Sequence, residues 1–262
     1  MEFMTVVTTR LTRREFCVAG ATSIAAAALG CRREPLVSEN AFGDGRLNAR
    51  PAAPTLSIDP GLHALALGSS RDGLLYVPSG YSPTQQAPLV ILLHGAGGNA
   101  AGFVERFRTL LDDFGLLALV PDSRIFSWDI RFGAFGPDVA FIDTALEHTF
   151  RRCAVDPLRI SMAGFSDGAS YALSLGVANG DWLNKLVAFS PGFLVAKSRF
   201  GNPPVFVSHG TRDTVLPIAE TRDRIVPQLE RLGHNVTFRE FDGPHSIPTD
   251  VACEAMMWVV LP

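Results

Sequence analysis

A serine hydroxyl becomes a nucleophile only when a base takes its proton and the chain presents it to solvent. One stretch of this 262-residue chain has the spacing for that: Gly164-Phe165-Ser166-Asp167-Gly168. It follows a short apolar run, Ile160-Ser161-Met162-Ala163, and precedes a run rich in Ala and Leu that reads as a helix. A serine at the tip of so tight a strand-to-helix turn has a strained backbone, and glycines two positions to either side let strand and helix close on it. The helix aims its N-terminal amides, with their partial positive charge, at the serine oxygen and at any oxyanion formed beside it. Alone, the pentapeptide is equally a glycine-rich turn. Its meaning depends on a base and an acid elsewhere in the chain.

His63, His148 and His234 fall on an edge strand, a helix face and a turn, and read as surface or packing residues. His94 and His209 each stand at the end of a buried strand, where imidazoles more often brace loop backbone. His245 differs: in Phe241-Asp242-Gly243-Pro244-His245-Ser246-Ile247-Pro248 it occupies a loop between the last strand and the last helix. Loops at the carboxyl ends of strands are where open α/β sheets keep their chemistry. The acid that would fix the imidazole is read as Asp213, in His209-Gly210-Thr211-Arg212-Asp213, with Asp223 and Asp242 as rivals. The order Ser166, Asp213, His245 gives a serine, an acid and a base, each about one strand-helix unit apart. For an oxyanion, one donor is the amide of Asp167. The other comes from His94-Gly95-Ala96-Gly97-Gly98, with Ala96 favoured and Gly95 or Gly97 as alternatives. The side chain of Asp167 reads as a helix cap. No Gly-Lys-Ser/Thr follows this glycine loop, so it is not a phosphate cradle.

With these segments in place the chain resembles the serine α/β-hydrolases of the bacterial phospholipase/carboxylesterase group, which overlaps the polyhydroxybutyrate-depolymerase-like and feruloyl-esterase-like esterases. The resemblance rests on Leu92–Gly98, Gly164–Tyr171, His209–Pro217 and Gly243–Pro248. It implies hydrolysis of carboxylic esters through an acyl-enzyme, with neither metal nor organic cofactor. Serine at position 166 sets the chain apart from relatives that use cysteine or aspartate there. The same site would serve a thioesterase or a polyester depolymerase. A serine peptidase or a non-catalytic binding protein fits less well, since no propeller domain precedes the body and all three residues of the triad are present.

The elements that must hold these loops follow from periodicity. Strands are expected at Leu62–Leu67, Gly73–Val77, Pro88–Leu93, Leu116–Val120, before the Ser166 turn, and at Leu186–Phe189, Val205–Ser208 and Val236–Phe241. Helices are expected at Gly102–Phe114, Asp138–Phe150, Asp167–Ala178, Ala219–Leu232 with a bend at Pro227, and Pro248–Val260. The alternation predicts an α/β fold with a mostly parallel sheet and helices on both faces. The connection from Ser190 to Pro204 is too short for a separate lid. The loop from Ser123 to Pro137 carries Phe126, Trp128, Phe132 and Phe135. Trp128, with Phe165 and Phe193, is expected to line the substrate cleft, and short- to medium-chain or aryl esters are the expected substrates.

Composition bounds the rest. A 47% hydrophobic content suits one sizeable core, and a net charge of −3 gives no basic excess for nucleic acid. Residues 1–31 read as an export leader: Thr12-Arg13-Arg14-Glu15-Phe16 has a twin-arginine pattern, an apolar run spans Val18–Leu29, and Cys31 stands where a lipoprotein would be acylated. The protein is thus expected to be exported, periplasmic or membrane-anchored. Residues 32–60 read as a tether without a packed core, and residues 61–262 as the catalytic domain. Cys153 and Cys253 in the body read as two buried free thiols, a single bridge being the alternative.

Overall fold

The computed structural model describes residues 43–261. The leader, including the twin-arginine stretch, Cys17 and Cys31, lies outside the described residues. No helix among the described residues is long and apolar enough to cross a membrane.

Eight strands form one sheet: β1 (Gly61–Ala64), β2 (Gly73–Val77), β3 (Ala87–Leu93), β4 (Leu117–Pro121), β5 (Val155–Phe165), β6 (Lys185–Phe189), β7 (Val205–Gly210) and β8 (Val236–Phe241). Their spatial order is β1-β2-β4-β3-β5-β6-β7-β8. β1 and β2 run antiparallel, β2 meets β4 antiparallel, and every pair from β4 to β8 is parallel. The chain steps from β3 outward to β4, then crosses back to lay β5 on the other side of β3. Strand order therefore reverses between β3 and β5, and the crevice at their carboxyl ends is where such a sheet offers a binding site.

Alternation along the strands builds a core on each face. Leu89, Ile91 and Leu93 of β3 face α3 (Pro137–Phe150) and α4 (Asp167–Ala178) in one buried cluster. Val90 and Leu92 join the opposite cluster, with Phe103, Phe107 and Leu111 and with Val251, Ala255, Met256 and Val259 of α7 (Thr249–Val260). A strand covered on both faces has no polar side to show, which is why Leu89-Val90-Ile91-Leu92-Leu93 reads as an unbroken apolar run.

Three expectations change. The helix expected over Gly102–Phe114 is two short ones, α1 (Ala100–Val104) and α2 (Arg108–Asp113). Between them the amides of Arg106 and Phe107 bond three residues back, to Phe103 and Val104. Phe103 and Phe107 are both buried in the core on either side of this turn, with ring centroids 5.4 Å apart. The bend near Pro227 is a π-turn, Thr221–Ile225, set between α5 (Ile218–Glu220) and α6 (Val226–Arg231). Pro227 has no N–H for the carbonyl four residues back and its ring crowds that carbonyl, so the helix widens ahead of it.

The third correction concerns the tether. From Gly43 onward the segment is fastened to the body. Leu47 is 1% exposed within the core. Its amide donates to Asn179 Oδ1, the amides of Asn48 and Ala49 to Asp143 Oδ1, and those of Thr55 and Leu56 to the Arg151 carbonyl. Arg46 forks onto both carboxylate oxygens of Asp181 at 2.8 Å. Proline and glycine excluded helix and strand here, yet backbone amides held by buried side-chain oxygens need neither. Cys153 is free and buried, Cys253 free and half-buried. Burial pushes the Cys153 thiol up to about 12, so it is not a nucleophile at neutral pH.

Candidate active site

Ser166 sits between the end of β5 and the start of α4 with φ 57° and ψ −120°, a left-handed conformation that costs a non-glycine residue energy. Two glycines hold the turn closed. A Cβ on Gly164 would lie 2.2 Å from the Gly168 carbonyl oxygen, and one on Gly168 would lie 2.2 Å from the Leu93 carbonyl oxygen. The helix thus rests on the ends of both central strands, and the Ser166 amide is anchored to the Phe189 carbonyl at 2.9 Å.

His245 and Asp213 arrive from the carboxyl ends of β8 and β7. Asp213 Oδ2 lies 2.5 Å from His245 Nδ1. A carboxylate only accepts, so Nδ1 carries the proton and Nε2 is left as the base. Asp213 Oδ1 accepts the amides of Val215 at 2.9 Å and Leu216 at 2.8 Å. Burial works to raise the Asp213 carboxyl, but these amides and His245 outweigh it and hold it below the usual range. The rival acids are engaged elsewhere: Asp242 pairs with Arg212 and Asp223 with Arg222, all exposed. The His245 ring packs on Phe165, the residue before the serine, with centroids 4.7 Å apart. No hydrogen bond joins Ser166 Oγ to His245 among the described residues. Such bonds often tighten only once substrate is bound.

The glycine loop leaves β3 beside this turn. A Cβ on Gly95 would meet Ser166 Cβ at 3.3 Å, so the loop passes close to the serine. The Gly97 amide donates to the Phe126 carbonyl at 2.8 Å and the Gly98 amide to the Gly95 carbonyl at 3.0 Å, which removes both as oxyanion donors. Ala96 is exposed beside the serine turn, and neither its amide nor that of Asp167 finds an acceptor among the described residues.

What fixes this loop is the segment Ser123–Gly136, and here Trp128 has a different place from the one expected. It is 1% exposed, stacks on Tyr171 with centroids 5.0 Å apart, and donates its Nε1–H to the His94 carbonyl at 2.8 Å. Trp128 braces the loop from beneath and does not face the cleft, because a buried indole goes where its N–H finds an acceptor. His94 adds a second tie. Its Nδ1 donates to the Gly95 carbonyl at 2.7 Å and its Nε2 accepts the Ser123 amide at 3.1 Å. Both bonds require the neutral ring, and burial pushes the His94 pKa down accordingly.

The Asp167 side chain does not cap α4. It accepts from Arg131 Nη1 at 2.6 and 2.8 Å and from Ser127 Oγ at 2.7 Å, so the same segment also grips the residue after the nucleophile. The segment closes on itself through two buried carboxylates. Asp138 accepts the amides of Arg124 and Asp129, while Asp129 accepts those of Gly136 and Asp138. Burial first, and the Asp129 charge second, push the Asp138 carboxyl up to about 7. Ser127, Arg131 and this aspartate pair were not singled out as site residues in the sequence, since none lies in a motif with Ser166.

Of the residues expected in the cleft, Phe165 lines a cavity of about 260 Å3, together with Gly95, Ala96, Asn99, Phe103 and Arg106. Phe193 is half-buried and packs against the core on the far side. No cluster of three or more metal-ligating side chains occurs among the described residues.

The model of the family described as phospholipase/carboxylesterase matches residues 139–257, which include Ser166, Asp213 and His245. Feruloyl esterase C of Emericella nidulans is 31% identical over 157 residues, 57% of each chain, so this chain spans less than two thirds of that relative. A phospholipase/carboxylesterase from Dyadobacter fermentans superposes with a TM-score of 0.57 at 22% identity, covering 74% of this chain and 98% of the other. A ferulic acid esterase from Anaeromyces mucronatus superposes with a TM-score of 0.57 at 16% identity, covering 82% and 97%. These two structures are likenesses of fold. The chain has the α/β-hydrolase fold, and its residues 139–257 match the phospholipase/carboxylesterase family model.

Proposed function

We propose that this protein is a serine esterase that hydrolyses carboxylic esters of small acyl or aryl acids. The observation that carries the reading is the 2.5 Å contact from Asp213 to His245 Nδ1, which leaves Nε2 as the base on a ring packed against Phe165, the residue before a serine held at a strained turn. Ser166 Oγ attacks the ester carbonyl as His245 Nε2 takes its proton. The amides of Ala96 and Asp167 receive the oxyanion, and Asp213 stabilises the imidazolium. His245 then protonates the departing alcohol, and water, deprotonated by the same imidazole, clears the acyl-enzyme and regenerates the serine. No step calls for a metal or an organic cofactor.

An open cavity of about 260 Å3 lined by Gly95, Ala96, Phe103 and Phe165 offers room for a short- to medium-chain or single-ring acyl group. The names of the relatives, feruloyl and ferulic acid esterases, support an aryl acyl group. Thioesters and polyesters present the same carbonyl and belong to the same test. The twin-arginine pattern and Cys31 support export with a lipid tether, on sequence alone.

The experiment is a panel of p-nitrophenyl acetate, butyrate and palmitate, methyl ferulate and an acyl thioester, run beside Ser166→Ala. The expected result is fastest turnover of the smaller esters, complete loss in Ser166→Ala, and stoichiometric labelling of wild type by a fluorophosphonate. Fastest turnover of palmitate would reject the small-acyl reading. Absence of labelling and of turnover across the panel would reject the esterase.

A further inference from the structure

Asp213 has a second imidazole beside it. His209, at the end of β7, is fully buried, and its Nε2 lies 3.1 Å from Asp213 Oδ2, the same oxygen that faces His245. His209 Nε2 also lies 2.7 Å from the Leu216 carbonyl. A carbonyl only accepts, so Nε2 must carry a proton; that N–H bonds to Leu216 O and lies against Asp213 Oδ2 as a close electrostatic contact. The other ring nitrogen, Nδ1, lies 2.9 Å from Thr221 Oγ1, which in turn lies 2.9 Å from the Pro191 carbonyl. The single hydroxyl proton of Thr221 can serve only one of these. If it goes to Pro191 O, Nδ1 must also be protonated and His209 is a buried cation. If it goes to Nδ1, His209 is neutral. Burial pushes the His209 pKa down, which selects the neutral ring with its proton on Nε2.

We propose that His209 is a positioning residue of the triad: its Nε2–H, held by the Leu216 carbonyl, sits 3.1 Å from Asp213 Oδ2 and offsets part of the charge that oxygen shows to His245. The inference rests on the esterase reading of Ser166, Asp213 and His245. Asp213 then receives two amides on Oδ1 and the His245 N–H on Oδ2, with the His209 N–H packed against that same oxygen, which leaves the carboxylate little freedom to rotate. Withdrawing the His209 proton leaves more charge on Oδ2 for His245, and the base becomes harder to deprotonate. Of the other charged groups near the triad, Asp167 pairs with Arg131, Arg212 with Asp242 and Asp223 with Arg222, while Arg106 lines the cavity beside Phe165 without an ion-pair partner among the described residues.

The experiment compares the pH dependence of kcat/KM on p-nitrophenyl butyrate for wild type, His209→Gln and His209→Leu, each normalised by fluorophosphonate labelling. The glutamine amide can stand where Nε2 does and keep the donor, whereas leucine has none. His209→Leu is expected to move the acid limb of the profile upward by about 0.5 to 1 pH unit, the size of one lost N–H dipole beside a carboxylate. His209→Gln should keep the wild-type limb. An unmoved limb in His209→Leu, whatever its rate, would reduce His209 to packing and overturn the proposal. A second measurement covers a leucine variant that fails to fold, or an enzyme with no activity on this ester. Ring-nitrogen NMR of the 15N-histidine-labelled wild-type chain should show His209 neutral with its proton on Nε2, and a ring protonated only on Nδ1 would overturn it.

Discussion

Trp128→Phe separates holding the fold from holding the oxyanion loop. The substitution removes one donor, the indole N–H that meets the His94 carbonyl at 2.8 Å, and one ring of the stack on Tyr171. With Trp128 1% exposed, no water replaces the donor without entering the core. An unsatisfied buried carbonyl costs about 1–3 kcal/mol. The missing ring volume adds about 1 kcal/mol, well short of a full truncation to alanine. The expected loss is therefore about 2–4 kcal/mol of stability, read from the midpoint of urea unfolding. The activity effect follows from what remains. His94 Nε2 still accepts the Ser123 amide, and the Gly97 amide still bonds to Phe126, so the loop shifts rather than detaches. Losing one oxyanion donor outright costs about 100- to 1000-fold in kcat. A displaced donor should cost about 10-fold, with fluorophosphonate labelling still stoichiometric. If Trp128→Phe loses the stability but keeps wild-type kcat/KM per labelled site, the indole does not position the loop and the brace is only packing.

Two further outcomes test the surroundings of the site. Arg106 lines the cavity beside Phe165, and its guanidinium has no ion-pair partner among the described residues. An exposed pair contributes little, about 0–1 kcal/mol, so Arg106→Ala should lower kcat/KM about 2- to 5-fold on an ester whose acyl group carries a carboxylate, and leave neutral esters unchanged. Equal effects on both would remove Arg106 from recognition. The Asp138 carboxyl is pushed up to about 7, first by burial and second by the Asp129 charge, against about 3.9 for a free aspartate. An acid raised on folding binds more protons in the native state, so its contribution to stability is greatest below about pH 4 and is lost as pH rises toward 7. Asp129→Asn keeps an oxygen for the Gly136 and Asp138 amides while removing the neighbouring charge. Its urea midpoint should fall less than that of wild type between pH 5 and 7, and a steeper fall would refute the coupling.

The fold was legible because its central strands are buried on both faces and its turns are made by glycines that nothing else could replace. Leu89–Leu93 admits only a central strand, and Gly164 and Gly168 face carbonyl oxygens where any side chain would collide. The placement of Ser166, Asp213 and His245 was legible for a related reason: each lies in a connection leaving the carboxyl end of a strand of one parallel sheet, so their distance in sequence says little about their distance in space. The helix breaks were not, because they depend on tertiary burial. Nothing local at Glu105–Phe107 forbids a continuous helix, and Phe103 and Phe107, four residues apart, would share one face of a straight one, so the break leaves no mark in the apolar pattern.

The segment from Ser123 to Gly136 shows where sequence pattern stops informing. Four aromatics in a loop near a nucleophile look the same whether they wall a pocket or brace a neighbour, and only their hydrogen-bond partners distinguish the two. Phe126 and Phe132 are 65% and 61% exposed, while Trp128 and Phe135 are 1% and 4%. The buried pair packs around Tyr171, and the one aromatic of the four with a polar hydrogen spends it on the His94 carbonyl. A tryptophan whose N–H must be satisfied inside the protein is tied to one carbonyl in a way that phenylalanine is not. The glycine loop after β3 is therefore braced by the indole of Trp128, while Arg131 and Ser127 hold Asp167 on the other side of the serine turn. Preorganised donors are effective because they do not have to move during the reaction, and in this fold that rigidity comes from a segment with no regular structure beyond one 3-10 turn.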